Sequence, residues 1–396
     1  MAVITEHRGA ATGSLWRNEY VRGIAIQVLA IIILAGVGGF LVHNTAVNLA
    51  KRGIASGFGF LSNQAGFDIG IALIPYTMAG SSYLQAFLVS VVNTLVVSAV
   101  GIVIATILGF VIGIARLSRN WLVATLAAVY VDAIRNIPLL AQIIFWYFGL
   151  LPLLPQVRQS VPVFNAFFFS NRGLYMPKPE LLPGFWIVPA ALVVGIALAV
   201  VLHRWAKRRQ EATGQLFPSV LSGLGLTIGV PLLVMLVSGS HVDLSMPELK
   251  GFNFQGGMVV VPEFLALLLA LSIYTAAFIA ENVRSGILAV SHGQTEAALA
   301  LGLKSSFTLR LVVVPQALRV IVPPLTSQYL NLVKNSTLGT YIAYPDVVQV
   351  FAGTVVNQTG QAVEGIAITM AFYLVISLLI SAAMNWYNRH VALVER

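Results

Sequence analysis

The stretch that decides the fold is Glu296-Ala297-Ala298-Leu299-Ala300-Leu301-Gly302, a run of strong helix formers that ends in a glycine. It lies in a polar segment between two long apolar segments, Val261–Ala280 and Gln316–Val333. Isolated helices shorter than about 12–15 residues are marginal in water. A helix this short needs a partner surface, so we expect it to dock on another protein at one face of a membrane.

The composition of the whole chain is that of a membrane protein. Of the 396 residues, 58% are hydrophobic and only 9% are charged, whereas a soluble domain has about 25% charged residues. Cysteine is absent, which excludes disulfides, thiolate metal sites and cysteine nucleophiles. The net charge of +9 fits basic cytoplasmic loops better than nucleic-acid binding, and no nucleic-acid partner is expected.

Apolar length predicts an all-α integral membrane protein with about eight transmembrane helices, at about 20 residues per crossing. The first apolar segment is too long for the h-region of a signal peptide, which has about 7–15 residues, so we expect it to be retained. The predicted spans are Gly23–His43, Phe87–Ala115, Trp121–Leu151, Gly184–His203, Leu216–Val237, Val261–Ala280, Gln316–Val333 and Gly365–Tyr387.

The basic residues predict the orientation of these spans. With the N-terminus inside, most Lys and Arg fall in cytoplasmic segments, and the cluster Arg204–Arg209 is the strongest single anchor. Both termini and the segment with the short helix are therefore predicted to be cytoplasmic. The few basic residues on the opposite side are Lys51, Arg52, Arg158, Arg172, Lys178 and Lys250.

The short helix has sequence signals at both ends. Ser291 and Gln294 have the spacing of a capping box, in which two free backbone amides are satisfied reciprocally. Glu296 lies near the start of the helix and complements its dipole, and Gly302 is placed to end it in the left-handed conformation. From the residues alone, an ordinary cytoplasmic loop with one or two helical turns explains the segment equally well.

Two predicted spans contain polar or helix-breaking residues. As one helix, Trp121–Leu151 would be about 46 Å long, against a hydrocarbon core of about 30 Å, so we expect a bend near Pro138. Asp132 and Arg135 are three residues apart, and we expect them to form a structural ion pair at this bend. Glycine and alanine recur every four residues from Gly101 to Gly113, which predicts close helix packing.

The seventh predicted span contains Pro323 and Pro324, which should break or kink its backbone hydrogen bonding. Gln328, Asn331 and Asn335 follow at i, i+3 and i+7 and form a polar stripe. In lipid, such a stripe must face another helix or a water-filled cavity. A wall of a substrate pathway and plain helix packing remain equally good explanations. Asn93, near the outer end of the second span, is a further pathway candidate.

Sequence patterns for enzymatic chemistry are missing. No phosphate-binding Gly-x-x-x-x-Gly-Lys-Ser/Thr loop occurs, so ATP hydrolysis by this chain is not expected. The metal-ligand spacings His-x-x-x-His and Glu-x-x-His are also missing, and we expect no metal site and no catalytic residue. An ion-gradient-driven secondary transporter of small polar solutes remains the alternative to an ATP-driven one, although the internal repeat typical of that class is not found.

The run from Ile287 to Gly302, followed by Pro315-Gln316-Ala317-Leu318-Arg319 and Pro323, closely resembles the EAA loop of ABC importer permeases. In that family the loop is the coupling helix, which docks into a groove on the ATP-hydrolysing subunit. The resemblance implies that a set of residues couples this chain to the ATPase. They are Gly293, Glu296, Ala297, Ala298, Leu301, Gly302 and Pro315.

Two further stretches resemble the polar amino-acid branch of the same family. Arg135 to Gln142 is similar to the branch pattern Arg-Gly-Thr-Pro-Leu-Leu-x-Gln, although Asn136 and Ile137 depart from Gly-Thr. Lys334-Asn335-Ser336-Thr337-Leu338 is similar to Lys-x-Thr-Ser-Leu, with Ser and Thr exchanged. The two stretches add Gln142 and Ser336 to the candidate substrate pathway.

The resemblance implies a type I ABC importer permease core with an inserted helix pair. The predicted segments are a cytoplasmic N-terminal segment (1–22), an extra span with a periplasmic loop (23–82), the first part of the core (83–151), an insertion with two spans (152–260), and the second part of the core (261–390), with the coupling loop at 284–315.

The resemblance also implies the partners and the location. A dimer of ABC ATPase subunits would carry ATP and Mg, a second homologous permease would complete a heterodimer, and a periplasmic binding protein would deliver a polar L-amino acid. No cofactor is expected on this chain itself. The expected location is the lipid bilayer of the bacterial inner membrane.

Overall fold

The computed structural model describes residues 19–51, 56–181, 186–215, 217–238 and 242–391. Most of the predicted N-terminal cytoplasmic segment, up to residue 18, lies outside these ranges. Within them, seven helices are long and apolar enough to cross a membrane, and a bent helix pair makes a further candidate. The predicted helical membrane protein with about eight spans is confirmed.

The helices follow the apolar segments of the sequence. The first two long ones have 33 residues each, about 50 Å at 1.5 Å per residue, and are therefore longer than the hydrocarbon core. The α-helices are α1 (Glu19–Lys51), α2 (Tyr83–Ala115), α3 (Trp121–Asn136), α4 (Leu139–Ile144), α5 (Ile187–Thr213), α6 (Ser219–Ser238), α7 (Pro262–Leu288), α8 (His292–Ala300), α9 (Ser305–Thr308), α10 (Val314–Asn335), α11 (Val356–Thr359) and α12 (Ala362–Val391).

Shorter turns of other helix types extend several of these helices. π-Helical turns are Phe145–Leu150, Leu309–Val313 and Val348–Val355, and 3-10 turns are Phe58–Ser62, Leu151–Leu153, Val157–Gln159 and Ser336–Ile342.

In the described part of the chain, eight short strands lie in the two connections that flank the helix pair α5 and α6. They form a four-stranded antiparallel sheet in the order β1-β2-β3-β8, and two two-stranded antiparallel sheets, β4 with β5 and β6 with β7. These strands were not predicted from the sequence. The strands are β1 (Val161–Val163), β2 (Phe167–Ser170), β3 (Gly173–Met176), β4 (Lys178–Leu181), β5 (Val242–Ser245), β6 (Glu248–Lys250), β7 (Asn253–Gln255) and β8 (Met258–Val260).

The chain divides into two compact units. The first comprises Met1–Val92 and Val347–Ile376, and the second comprises Asn93–Asp346 and Ser377–Arg396. The core of the first unit is aromatic: the rings of Phe87 and Phe351 have centroids 5.1 Å apart and meet edge to face, an arrangement that aromatic pairs prefer. The predicted segment boundaries are not tested by this division and stay a prediction.

In the second unit, α7 is the central helix. More than half of the residues in its most apolar 18-residue stretch are buried, the largest share among the candidate spans of the described residues. A Cβ atom added at Gly109 of α2 would lie 2.5 Å from Ile279, and one at Gly113 would lie 2.7 Å from the carbonyl oxygen of Ala280. The predicted role of the small-residue stripe in helix packing is confirmed, because only glycine fits this close approach.

The predicted bend near Pro138 is also confirmed. The axes of the helices on either side of it, Trp121–Asn136 and Leu139–Leu153, differ by 103°. Ile137 precedes the proline and has an extended backbone, as the proline ring requires. The side-chain amide of Gln142 donates to the carbonyl oxygens of Ile134 and Ile137 at 3.1 and 3.0 Å. These bonds satisfy backbone groups that the end of α3 leaves free.

The seventh span is less interrupted at its prolines than the sequence predicts. α10 continues through Pro323 and Pro324 as one α-helix. Neither proline has a backbone N–H, so two hydrogen bonds are missing from the helix although its path is not broken.

Candidate functional site

The coupling-helix candidate is a separate helix, as the sequence predicted. α8 has nine residues and is anchored near its C-terminal end by Ala298, which is 4% exposed. It packs against α9 and the π-helical turn Leu309–Val313. A cleft of about 240 Å³ between them is lined by Thr295, Leu299, Ser305, Thr308, Leu309 and Val313.

The predicted capping box at the start of α8 is wrong. Ser291 is the N-cap residue, but its side chain makes no capping hydrogen bond. The side-chain oxygen of Gln294 accepts instead from the amide nitrogen of Gln316, at 3.4 Å. The two glutamines thus join the start of α8 to α10. On the same turn, His292 Nδ1 and Glu296 Oε1 are 3.1 Å apart.

The end of α8 has the predicted glycine geometry. Gly302 has φ +80°, and its N–H donates to the carbonyl oxygen of Leu299 at 2.9 Å. The N–H of Leu303 donates to the carbonyl oxygen of Ala298 at 3.2 Å. The two bonds form a Schellman motif, which ends the helix sharply and satisfies its last carbonyl groups.

Apart from Ala298, the predicted coupling residues are exposed at the surface of the structure. Leu301 is 83% exposed, and Leu288 and Phe307 nearby are each more than half exposed. An exposed group of large apolar side chains beside a short helix is typical of a contact surface for another protein. The other exposed candidates are Gly293, Glu296, Ala297, Gly302 and Pro315.

A polar cavity lies between α7 and α10. It measures about 320 Å³, and the predicted polar stripe of α10 forms one wall. Its lining residues are Tyr274, Thr275 and Phe278 of α7, and Gln328, Asn331 and Asn335 of α10. The structure therefore brings three of the six predicted pathway residues together around one cavity.

The other three pathway candidates do not line this cavity. Asn93 is buried, and its side-chain amide donates to the carbonyl oxygen of Pro345 at 3.1 Å. Ser336 is also buried and donates to the carbonyl oxygen of Val333 at 2.8 Å. Gln142 stabilises the bend after α3. In this structure all three side chains bond to the backbone of their surroundings.

The predicted ion pair between Asp132 and Arg135 is wrong. Both residues are described and exposed, and no salt bridge joins them. The guanidinium group of Arg135 lies over the ring of Phe278 on α7, 5.0 Å from its centroid. A cation–π contact with a neighbouring helix is worth about 0.5–1 kcal/mol or more, against about 0.2–0.5 kcal/mol for an exposed pair on one helix.

Sequence reasoning missed an ionic cluster beside α7. Glu281 accepts from Arg116, just after α2, and from Arg284 at 2.6 Å. The three side chains are between 14% and 32% exposed, so the charges are partly shielded from water. The signal in the sequence was the spacing of Glu281 and Arg284, which are three residues apart in an otherwise apolar helix.

Comparison with known proteins places the chain in a family. The profile of the binding-protein-dependent transport system inner membrane component matches residues 101–393, which include α8, the polar cavity and the ionic cluster. This chain belongs to that family. It is a multi-pass membrane protein and a transport permease.

Relatives of this permease fall into two length classes. AapQ of Rhizobium johnstonii, a general L-amino acid transport system permease protein, is 53% identical over 95% of this chain and 93% of its own. BztB of Rhodobacter capsulatus, a glutamate/glutamine/aspartate/asparagine transport system permease protein, is 40% identical over 95% of both chains. GlnM of Bacillus subtilis, a probable glutamine ABC transporter permease protein, is 39% identical over 56% of this chain but 95% of its own.

The described part of the permease contains no group of three or more His, Cys, Asp or Glu side chains that could hold a metal ion. A short helix presents a contact surface on one side, and hydroxyl, amide and aromatic groups surround a cavity between two spans.

Proposed function

We propose that this chain is the membrane-spanning subunit of an ATP-driven importer that carries polar L-amino acids. The observation that carries the proposal is α8, a nine-residue helix that ends in a Schellman motif beside exposed apolar side chains. Family membership and the amino-acid transport named for its relatives favour this function over an ion-gradient-driven secondary transporter.

In this proposal α8 docks on an ATPase subunit, and a dimer of such subunits supplies ATP and Mg. Ala298 fixes the helix to the permease, while Leu301 faces the partner. Movement of the ATPase dimer would push on α8 as a unit, because its start is joined to α10 through Gln316 and its buried Ala298 packs against the permease. The membrane helices would then exchange between inward-open and outward-open states.

The cavity between α7 and α10 is the proposed passage for the amino acid. Hydroxyl and amide groups from Thr275, Asn331 and Asn335 offer both donors and acceptors to a zwitterion. Arg135 lies against Phe278, one of the lining residues, and adds a positive charge near the cavity. A volume of about 320 Å³ is at the lower end of small-molecule sites, of about 300–1,000 Å³.

The other proposed partners are a second, homologous permease and a soluble periplasmic binding protein. The proposed location is the bacterial inner membrane, with both termini in the cytoplasm. The excess of Lys and Arg in the segments on the α8 side supports this orientation.

The test is uptake into proteoliposomes that contain the permease pair and its ATPase. We expect accumulation of labelled L-amino acid only with internal ATP and external binding protein. Leu301→Asp should abolish uptake, because it places a charge in the ATPase contact. The matched control is Leu244→Asp, at another exposed leucine outside the spans. Uptake driven by an ion gradient without ATP would refute the proposal.

A further inference from the structure

The sheets and the coupling helix lie on opposite sides of the membrane. β8 ends at Val260, α7 begins at Pro262 and crosses once, and α8 begins at His292. α7 has 27 residues, about 40 Å, which is enough for one crossing. If α8 contacts the ATPase in the cytoplasm, the sheets face the compartment from which the substrate arrives.

A polar cavity of about 320 Å³ lies between the 3-10 turn Val157–Gln159, the β2–β3 turn and the β6–β7 turn. It is lined by Gln156, Val157, Arg158, Asn171, Arg172 and Phe252. Basic residues are disfavoured on the outer side of a membrane protein, and yet two of the few on that side converge on one cavity. Among the described residues, neither Arg158 nor Arg172 forms a salt bridge with a carboxylate.

Arg158 is held in a fixed position. Its Nε donates to the carbonyl oxygen of Gly251 at 3.3 Å, and its guanidinium carbon lies 3.7 Å from the centroid of the Phe252 ring. The stacking orients the planar group and leaves its terminal N–H donors free for a carboxylate. Phe252 itself is 78% exposed. Arginine and large aromatic side chains are the groups enriched at the energetic centres of protein interfaces.

The β6–β7 pair, whose turn carries Phe252, is joined to the four-stranded sheet, whose β2–β3 turn carries Arg172. The hydroxyl of Tyr175 on β3 donates to the side-chain oxygen of Asn253 on β7, at 2.9 Å. The rings of Tyr175 and Phe254 lie 4.5 Å apart, and that of Phe168 lies 4.7 Å from Phe254. These contacts fix the β6–β7 turn against the four-stranded sheet, so the cavity is formed before any partner binds.

We propose that this surface, made of Arg158, Arg172 and Phe252, docks the soluble binding protein through an acidic side chain that enters the cavity. This inference rests on the function proposed above. The alignment with GlnM covers 95% of GlnM but only 56% of this chain. Much of the rest of this chain therefore has no counterpart in a permease of that size. The family that matches this part of the chain is named for binding-protein-dependent transport, which favours a soluble binding protein as the occupant of an exposed outer surface.

The experiment uses the assembled complex in nanodiscs and the purified amino-acid-binding protein that stimulates the wild-type ATPase. ATPase rate is measured against binding-protein concentration at low and at physiological ionic strength. The test variant is Arg158→Glu combined with Arg172→Glu. The control, Lys178→Glu combined with Lys250→Glu, makes the same change of charge on the strands β4 and β6, outside the lining of the cavity.

We expect the test variant to raise the half-maximal binding-protein concentration by roughly 10–100-fold, with an unchanged maximal rate. The control should change it less than about threefold, because exposed charges away from the contact add little. Arg158→Lys should fall between wild type and the test variant, since it keeps the charge but loses the planar fork. The difference in half-maximal concentration between the wild type and the test variant should be smaller at physiological than at low ionic strength, because salt screens the charges.

Several results would overturn the docking assignment. One is an equal effect of the test and control variants, and another is loss of the second permease from the purified complex. The others are an effect seen only with anionic lipid, and a change in the half-saturating concentration of amino acid without a change in that of the binding protein. A failure of the proposed function is distinguishable, because it would appear in the wild-type complex as uptake that needs neither ATP nor binding protein.

Discussion

Replacing Gly302 by alanine tests whether the shape of α8 couples the permease to its ATPase. Gly302 has φ +80°, and a Cβ atom added there would meet nothing within 4 Å. The substitution therefore introduces backbone strain without a steric clash. The left-handed conformation costs an L-residue other than glycine about 1–2 kcal/mol. Taking about 1 kcal/mol for alanine, the ratio of the docked shape of α8 to its relaxed alternatives falls about fivefold.

The assay is a titration of permease proteoliposomes with the purified ATPase subunit, read as ATP-dependent uptake of amino acid. Gly302→Ala should raise the half-maximal ATPase concentration about fivefold, and Gly302→Asn by less than about twofold, because asparagine tolerates this conformation better. Gly302→Val should have a larger effect than alanine, since a β-branched residue is the least tolerant of positive φ.

Gly214 provides a matched control for this series. It ends α5 with φ +72°, and a Cβ atom there also meets nothing within 4 Å. Gly214→Ala therefore carries the same local strain on a helix that does not contact the ATPase in our proposal. If the two alanine variants titrate alike, or if Gly302→Ala titrates as wild type, the reasoning about α8 is refuted.

Three further substitutions test the structure around the site. Gly113→Val should cost about 1–3 kcal/mol and lower the thermal unfolding temperature in detergent, because its Cβ would press on α7, whereas Gly229→Val, in open space, should not. Glu281→Gln should destabilise by roughly 1–3 kcal/mol in a denaturant titration, since it leaves two partly shielded arginines without their carboxylate, and Glu281→Asp should recover part of this. Burial raises the pKa of the Tyr175 hydroxyl above 10.0, so the fold favours the protonated phenol. The raised pKa contributes to the stability of the fold at lower pH, and this contribution is lost as the pH rises through the raised pKa. Tyr175→Phe should remove this alkaline loss together with the bond to Asn253. The measurement is the free energy of unfolding as a function of pH.

Features that depend on neighbouring residues were predictable from the sequence. The spans follow from apolar length, the bend at Pro138 from proline chemistry, and the end of α8 from Gly302, because each depends on residues within one or two helical turns. The glycine stripe was predictable for a related reason: a repeat of four residues places small side chains on one helix face whichever helix lies opposite.

Features that depend on distant residues were not predictable. Arg116 and Glu281 are separated by 165 residues, and nothing local to either identifies its partner. The strands have only three or four residues each, and β3 pairs with β8 across the whole helix pair α5 and α6. Local signals were also overridden: Gln294 has capping-box spacing but its side chain bonds to Gln316, and Arg135 lies on Phe278 instead of pairing with Asp132.

The polar pathway candidates show where the boundary between these two kinds of feature lies. Gln328, Asn331 and Asn335 share a face by helical spacing, and the structure places all three at one cavity. Gln142 and Asn93 have the same side-chain chemistry, but each lies beside backbone carbonyl groups that accept its amide hydrogens. A buried amide takes the nearest available partner, so residue type alone could not separate a pathway residue from one that stabilises the backbone.

α7 explains why the clearest functional tests lie elsewhere. This one helix provides a wall of the polar cavity, the acid of the ionic cluster and the surface against which the glycines of α2 pack. It also continues, after a short turn, into α8. A substitution on α7 therefore changes several of these contacts together, and its effect on transport has no single cause. By contrast, Gly302 ends α8 in open space and Arg158 lies in an open cavity, so a change at either position separates coupling from partner docking.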